Sequence, residues 1–309
     1  MNTPGRAIVI AAGNDFLKKS HASGKVTPQE SNEIFWVIPK AKVPNWRFRQ
    51  ELEIWYPRDK RLTAEVLSPN ITSLESCPFG TIATSDESEI VPLWVISNNQ
   101  AEQDIDKDEN YIHILVDNRR NEFVGGEWRI TLTTPDNEVD FQAWIEHNMS
   151  NPPTEFADNF TGDHTVNGIG NATLPIVVGS WYKIPNVNPP SYIPAPTSSS
   201  GSSRNPQFSQ KPEISAPGEN ITSAQALDID RSDLSGTSAA APHVTGVIAL
   251  MFQQGLNLPQ PRTLTMQEIR DILIDTVNKN PAPAGNGDYD PRLGFGRVNA
   301  LNALKKIKN

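Results

Sequence analysis

Ser235-Gly236-Thr237-Ser238-Ala239-Ala240-Ala241-Pro242-His243-Val244 is the stretch on which the reading of this chain turns. A serine in the first turn of a helix stands beside unpaired backbone N–H groups and the positive end of the helix dipole. That setting suits a nucleophile that generates an oxyanion. Serine is also a preferred helix cap in any protein, so Ser238 taken alone reads as a cap, and only its surroundings argue for more. The three alanines let a helix pack closely, and Pro242 is tolerable only near a helix start. Val244, Val247, Ile248 and Met251 then recur at helical spacing, which predicts a helix from Ala239 to about Gln253. Downstream, Thr265 and Glu268 form a capping-box pair ahead of Ile269, Ile272, Leu273 and Val277, predicting a second helix from Met266 to about Asn278.

Upstream of the serine the pattern changes twice. Leu174 to Ser180 is a short apolar strand, and Pro185 to Pro206, rich in Pro, Ser and Asn, reads as loop. From about Ile34 to Ile145 apolar residues alternate with polar ones: Leu52, Ile54 and Tyr56 against Glu51, Glu53 and Trp55, and later Val139, Phe141, Ala143 and Ile145. This is the pattern of antiparallel strands with one buried face, separated by turns such as Thr134-Pro135-Asp136-Asn137. Six of the seven tryptophans fall in this segment, so it is expected to fold around its own core. At the start, Ala7-Ile8-Val9-Ile10-Ala11-Ala12-Gly13-Asn14 reads as a strand buried on both faces, as in parallel sheets. A buried strand needs neighbours on each side, so the expectation is a chain that opens in the middle of a domain. The predicted fold is an α/β parallel-sheet domain, residues 1–20 and 165–309, interrupted by an inserted antiparallel β-sandwich domain, residues 30–150.

Composition narrows the function. The 309 residues carry 27 Lys and Arg against 36 Asp and Glu, a net charge of −9 that repels a phosphate backbone and makes nucleic acid an unsuitable partner. No apolar run reaches membrane-span length, and no secretory signal peptide is present, so the location stays open. Cys77 is the single cysteine, which excludes an intrachain disulfide and a multi-cysteine metal site. Asp104-Ile105-Asp106-Lys107-Asp108-Glu109 opens like a calcium loop, but its sixth position is Glu109 and its twelfth Leu115, so it reads as a solvated acidic turn. Neither a metal nor a cofactor is expected. Sequons at Asn70, Asn148, Asn159, Asn171 and Asn220 and the basic Lys305, Lys306 and Lys308 need no functional reading.

The whole ten-residue serine stretch resembles the nucleophile motif of the subtilisin-like serine proteases, and other segments match that family in order. Ala11-Ala12-Gly13-Asn14 is similar to the strand lining the specificity pocket and ending in the oxyanion asparagine. Ile176-Val177-Val178-Gly179-Ser180 resembles the strand that follows. Ser200-Gly201, Lys211-Pro212-Glu213-Ile214 and Ala216-Pro217-Gly218 resemble the family's later stretches, with Glu213 where Asp is usual, and Gly294-Phe295-Gly296-Arg297-Val298-Asn299-Ala300 resembles its closing segment. The resemblance implies a serine endopeptidase working through an acyl-enzyme on Ser238, with Asn14 as oxyanion donor. It also implies a peptide substrate lying against Ala11, Ala12, Gly13, Gly236 and Thr237. Some members of the family carry a jelly-roll domain where this insert stands, and the family is often secreted.

The same resemblance marks what is missing. A serine needs a base, usually a histidine oriented by a carboxylate. None of the five histidines, His21, His113, His147, His164 and His243, stands in the family's H-G-T-H type motif, and neither D-T-G nor D-S-G occurs. His243 lies five positions along the serine's own helix, faces elsewhere and reads as structural. The expectation is a portion of a protease lacking the family's Asp and His. Its alternatives are a non-catalytic scaffold or binding module on this fold, or one half of a split enzyme whose Asp and His come from an upstream polypeptide.

Overall fold

The computed structural model describes residues 3–39, 48–69, 75–84, 93–100, 109–118, 125–146, 153–203, 210–224, 231–279 and 288–308. Most of the acidic turn at Asp104, together with Trp46, His147 and the sequons at Asn70 and Asn148, lies outside these residues. The chain divides into two compact units, Met1–Leu17 with Gly162–Asn309, and Lys18–Thr161. The first unit opens with strand β1 (Val9–Ala11). Chain order then passes through the second unit before returning.

In the second unit the period-2 segments are strands: β2 (His21–Val26), β3 (Asn32–Ile38), β4 (Phe48–Pro57), β5 (Thr63–Leu67), β6 (Glu75–Cys77), β7 (Thr81–Thr84), β8 (Leu93–Gln100), β9 (Glu109–Asn118), β10 (Gly126–Thr133), β11 (Val139–Ile145) and β12 (Glu155–Phe156). They form one sheet of order β12-β3-β10-β5-β6 and another of order β2-β11-β4-β9-β8-β7. The pairings are antiparallel throughout, as between β4 and β9 or β10 and β3. The two sheets share one core that includes Trp36, Trp128, Leu52, Ile114 and Phe141. Trp36 and Trp128 stand directly opposite across a strand pair with ring centroids 6.3 Å apart. A polar pair is satisfied within this core: the Tyr56 hydroxyl donates to Asn98 Oδ1 at 2.7 Å, and Asn98 Nδ2 donates to the carbonyls of Leu62 and Cys77. Burial holds the Tyr56 phenol well above its ordinary pKa.

Back in the first unit follow β13 (Ile176–Lys183), β14 (Tyr192–Pro194), β15 (Ile214–Pro217), a hairpin of β16 (Ile221–Ala224) and β17 (Arg231–Leu234), and helices α1 (Thr237–Leu256), α2 (Met266–Asp275) and α3 (Ala300–Lys308). β13 is central, parallel to β1 on one side and to β15 on the other, and its last three residues pair antiparallel with β14. It is β13 that is buried along its first five residues. β1, predicted to be buried on both faces, is half-buried and pairs among the described strands only with β13, leaving Ile8 54% exposed. The helix side of the sheet packs Ile176, Val178, Ile214 and Ala216 against Val244, Ile248 and Met251 of α1 and Ile269 and Leu273 of α2. α2 starts at the expected capping box, with Thr265 Oγ1 accepting from the Glu268 N–H and Glu268 accepting from the Thr265 N–H. It ends at Asp275, three residues short of the expected Asn278. No helix among the described residues is long and apolar enough to cross a membrane.

An ion cluster built on the fully buried Lys211 and Glu213 ties this sheet to α2. Lys211 Nζ lies 2.6 Å from Glu213 Oε1 and donates to Pro175 O at 2.8 Å, while Glu213 Oε2 accepts the Val177 N–H at 2.8 Å. Arg270 of α2 approaches the same Glu213 oxygen at 3.0 Å. Burial pushes the Lys211 ammonium below its ordinary pKa, and Glu213 opposes that shift.

Candidate active site

The residue before α1 is Gly236, whose φ of +124° is open to glycine and strained for other residues. It has no side chain with which to cap the helix, and Asn14 supplies the cap instead. The Thr237 N–H donates to Asn14 Oδ1 at 2.9 Å. The contact also fixes the orientation of the amide: with its oxygen used as acceptor, Asn14 keeps Nδ2 as its donor end. A methyl group on Gly236 would stand 3.0 Å from Asn14 Oδ1 and 3.1 Å from Nδ2, so the glycine also makes room for that amide.

The segment around Asn14 is clamped from two sides. Thr237 holds one, accepting the Gly13 N–H on Oγ1 at 3.1 Å, with that hydroxyl 3.2 Å from Gly13 O and 3.3 Å from Asn14 Oδ1. Ser199 holds the other: its N–H donates to Gly13 O at 2.9 Å, and its Oγ accepts the Asp15 N–H at 3.0 Å. Gly13 itself has φ of +114°, and a Cβ there would fall 2.7 Å from Ser199 Oγ. Ser238, the second residue of α1, is exposed beside this arrangement. Pro242, four residues on, has no N–H to give the Ser238 carbonyl.

Sequence reading brought together Asn14, Gly13, Gly236, Thr237 and Ser238, and the structure gathers them in one place. Ala11 and Ala12 lie alongside, with their hydrogen-bonding groups used internally. Asn167 donates from Nδ2 to Ala11 O at 2.6 Å and from its main chain to Ala12 O at 2.9 Å, and the Ala12 N–H donates to Val178 O. Ala12 is fully buried. Asn167 and Ser199 carry no sequence signal of this duty, because an asparagine in a loop and one serine in a run of three look ordinary.

The described histidines are held elsewhere. His243 Nδ1 donates to Ala239 O, one turn back on its own helix, at 2.9 Å. His164 Nδ1 donates to Ser202 O at 2.6 Å, His113 lies 2.9 Å from Glu51, and His21 lies 2.7 Å from Gln142 Oε1. Among the described residues no group of three or more His, Cys, Asp or Glu could hold a metal ion.

A model of the subtilase family matches residues 1–296. The chain belongs to the subtilase family. Bacillopeptidase F of Bacillus subtilis is 36% identical over 99 residues, which is 31% of this chain and 6% of that protein. The extracellular basic protease of Dichelobacter nodosus is 33% identical over 108 residues, 32% of this chain and 16% of that one. The solved structure of the Clostridium perfringens CspB protease superposes with a TM-score of 0.77 at 25% identity, over 99% of this chain and 61% of that chain. This subtilase chain therefore spans 6% and 16% of the two curated relatives and 61% of the CspB chain, less than two thirds of each.

Proposed function

We propose that this chain carries the nucleophile and oxyanion side of a serine endopeptidase. Ser238 attacks the scissile carbonyl and forms an acyl-enzyme, Asn14 Nδ2 donates to the developing oxyanion, and Gly13, Gly236 and Thr237 hold that donor beside the serine. Ala11 and Gly13, both half-buried, line one side of the peptide site, with the fully buried Ala12 supporting them from behind. The observation that carries this reading is the Thr237 N–H to Asn14 Oδ1 bond, which fixes the amide with its donor end free beside the exposed nucleophile.

The base lies outside these residues, in a further portion of the protease or in a second polypeptide. No described imidazole bonds the Ser238 hydroxyl; each has the other partner given above. Two features offer a place to dock: the edge of β1 that pairs with no described strand, and the outer stripe of α1, where Pro242, Gly246, Ala249 and Leu250 are exposed on a helix with no Asp, Glu, Lys or Arg. A helix without charge around its circumference is normally buried. The Lys18–Thr161 unit is an inserted jelly-roll domain. Four nested strand pairs, β2 with β11, β3 with β10, β4 with β9 and β5 with β6, alternate between its two sheets, which is the order made by rolling up one long hairpin.

The experiment is labelling of the full chain with a fluorophosphonate, followed by intact-mass analysis, with and without added imidazole as an exogenous base. Slow modification of Ser238 alone, accelerated by imidazole and abolished by Ser238→Ala, is expected. Modification at another serine, or equal labelling of Ser238→Ala, overturns the nucleophile assignment. Fast stoichiometric labelling without imidazole overturns the missing base. No labelling under either condition favours the non-catalytic scaffold.

A further inference from the structure

One cross-strand row on the outer face of the six-stranded sheet reads Ser23, Gln142, Trp55, Tyr111 and Asn99, from β2 through β11, β4 and β9 to β8. All five side chains are half-buried and lie on the face opposite the core. None is charged at neutral pH. The rows on either side of it carry charge, Lys25, Asp140 and Glu109 on one flank and Glu53 and His113 on the other, so the uncharged row is a strip within a polar face.

The centre of the uncharged row is held rigidly. The rings of Trp55 and Tyr111 stack with centroids 5.3 Å apart and planes 26° apart. Trp55 Nε1 donates to Glu53 Oε2 at 3.0 Å, which fixes the indole. Gln142 Oε1 is fixed by His21 Nε2 at 2.7 Å, leaving the amide nitrogen as its second group. The core of this unit already holds Trp36, Trp128, Tyr56 and Phe141 fully buried, so packing does not require two more large rings on the solvent face.

Rigid aromatic rings flanked by planar amides and a hydroxyl form a set of groups suited to a sugar. The C–H faces of a pyranose lie on the rings, and its hydroxyls exchange hydrogen bonds with the amides. Five neighbouring strands about 4.8 Å apart make the row about 19 Å long, which suits a short oligosaccharide. The ligand is neutral on charge complementarity: the row offers no cation to an acidic polymer, and the net charge of −9 repels one.

We propose that this row is a binding site for an uncharged oligosaccharide, independent of the chemistry at Ser238. The test is calorimetric titration of the full chain, with tryptophan fluorescence in parallel, against cellohexaose, laminarihexaose, chitohexaose, xylohexaose and mannohexaose, with polylysine as the charged comparison. At least one of the sugars is expected to bind saturably and with little dependence on salt. Trp55→Ala and Tyr111→Ala are each expected to weaken that binding about tenfold, the equivalent of one lost aromatic contact. Should either variant misfold by circular dichroism, Gln142→Ala and Asn99→Ala at the flanks of the ring pair are expected to weaken binding several-fold in a folded protein. Absence of binding by every sugar at millimolar concentration, unchanged affinity in the folded variants, or binding of polylysine alone overturns the proposal.

Discussion

Asn14 caps helix α1 from 223 positions away in the sequence, its Oδ1 accepting the Thr237 N–H at 2.9 Å. The two ends of one amide thus have separable duties, and two substitutions tell them apart. Asn14→Ala removes both, so it should cost about 0.5–2 kcal/mol of stability as a lost cap and slow imidazole-assisted acylation of Ser238 by about 10²–10³-fold as a lost oxyanion donor. Asn14→Asp keeps an acceptor for the Thr237 N–H and adds a charge that the helix dipole favours. It should therefore hold stability near the wild type while acylation falls as far as in the alanine variant. Urea denaturation and the time course of fluorophosphonate labelling measure the two quantities; an Asp variant that labels at the wild-type rate removes Asn14 from the oxyanion role.

Two glycines on α1 and at its start should respond to alanine with opposite signs. At Gly236, φ is +124° and the new methyl would press on the Asn14 amide, so Gly236→Ala should destabilise by about 1–3 kcal/mol and slow acylation as well. At Gly246 nothing lies within 4 Å of the new Cβ, and the position is exposed and helical, so Gly246→Ala should stabilise by about 0.5–1 kcal/mol. Paired urea titrations check both. Loss of stability at Gly246 would mean that the α1 stripe is already covered in solution.

What could be read in advance follows the physics of each signal. The strands with one dry face, such as Phe48–Pro57 and Val139–Ile145, announce themselves by alternation, and α2 by its capping box, because both signals are local. β2, His21–Val26, gave no such signal: Ser23, Gly24 and Lys25 are small or polar, and Gly24 is there because a Cβ would meet the Phe141 ring at 2.7 Å. The half-buried state of β1 was misread for a related reason, since an apolar run reports what a strand could bury and not which neighbours it has. At the site, the serine motif and the asparagine were legible from resemblance. The clamps by Ser199 and Asn167 are contacts between distant segments that no local pattern encodes.

Glu146 offers a pH test of the second unit. Its carboxyl is held above the ordinary range, first by partial burial and then by the neighbouring Glu51 and Glu53. A carboxyl whose folded pKa lies above its unfolded value binds its proton more readily in the folded state. Its charge therefore destabilises fully above the folded pKa, and the penalty disappears as pH falls below the unfolded value. Glu146→Gln should raise the melting temperature at neutral pH and leave it unchanged below about pH 4. Thermal scans across that interval decide it; a gain that persists in acid would assign the effect to something other than charge.

Glu213 holds the most exacting electrostatic position in the first unit, since one buried carboxylate serves Lys211, Arg270 and the Val177 N–H together. Removing its charge while keeping its shape, in Glu213→Gln, leaves the fully buried Lys211 ammonium and the Arg270 guanidinium without their anion. A broken buried ion pair of this kind costs about 3–5 kcal/mol. Glu213→Asp retains the charge but withdraws it by one methylene, so it should lose less than the glutamine variant; the resembled motif carries Asp at this place, which marks the shorter side chain as tolerable on this fold. Lys211→Met with Glu213→Gln should lose less than the sum of its single substitutions, because the second change no longer strands a charge. Urea midpoints for the four proteins give the coupling directly. If Glu213→Gln unfolds within about 1 kcal/mol of the wild type, the cluster is hydrated enough in solution that its buried geometry carries little energy.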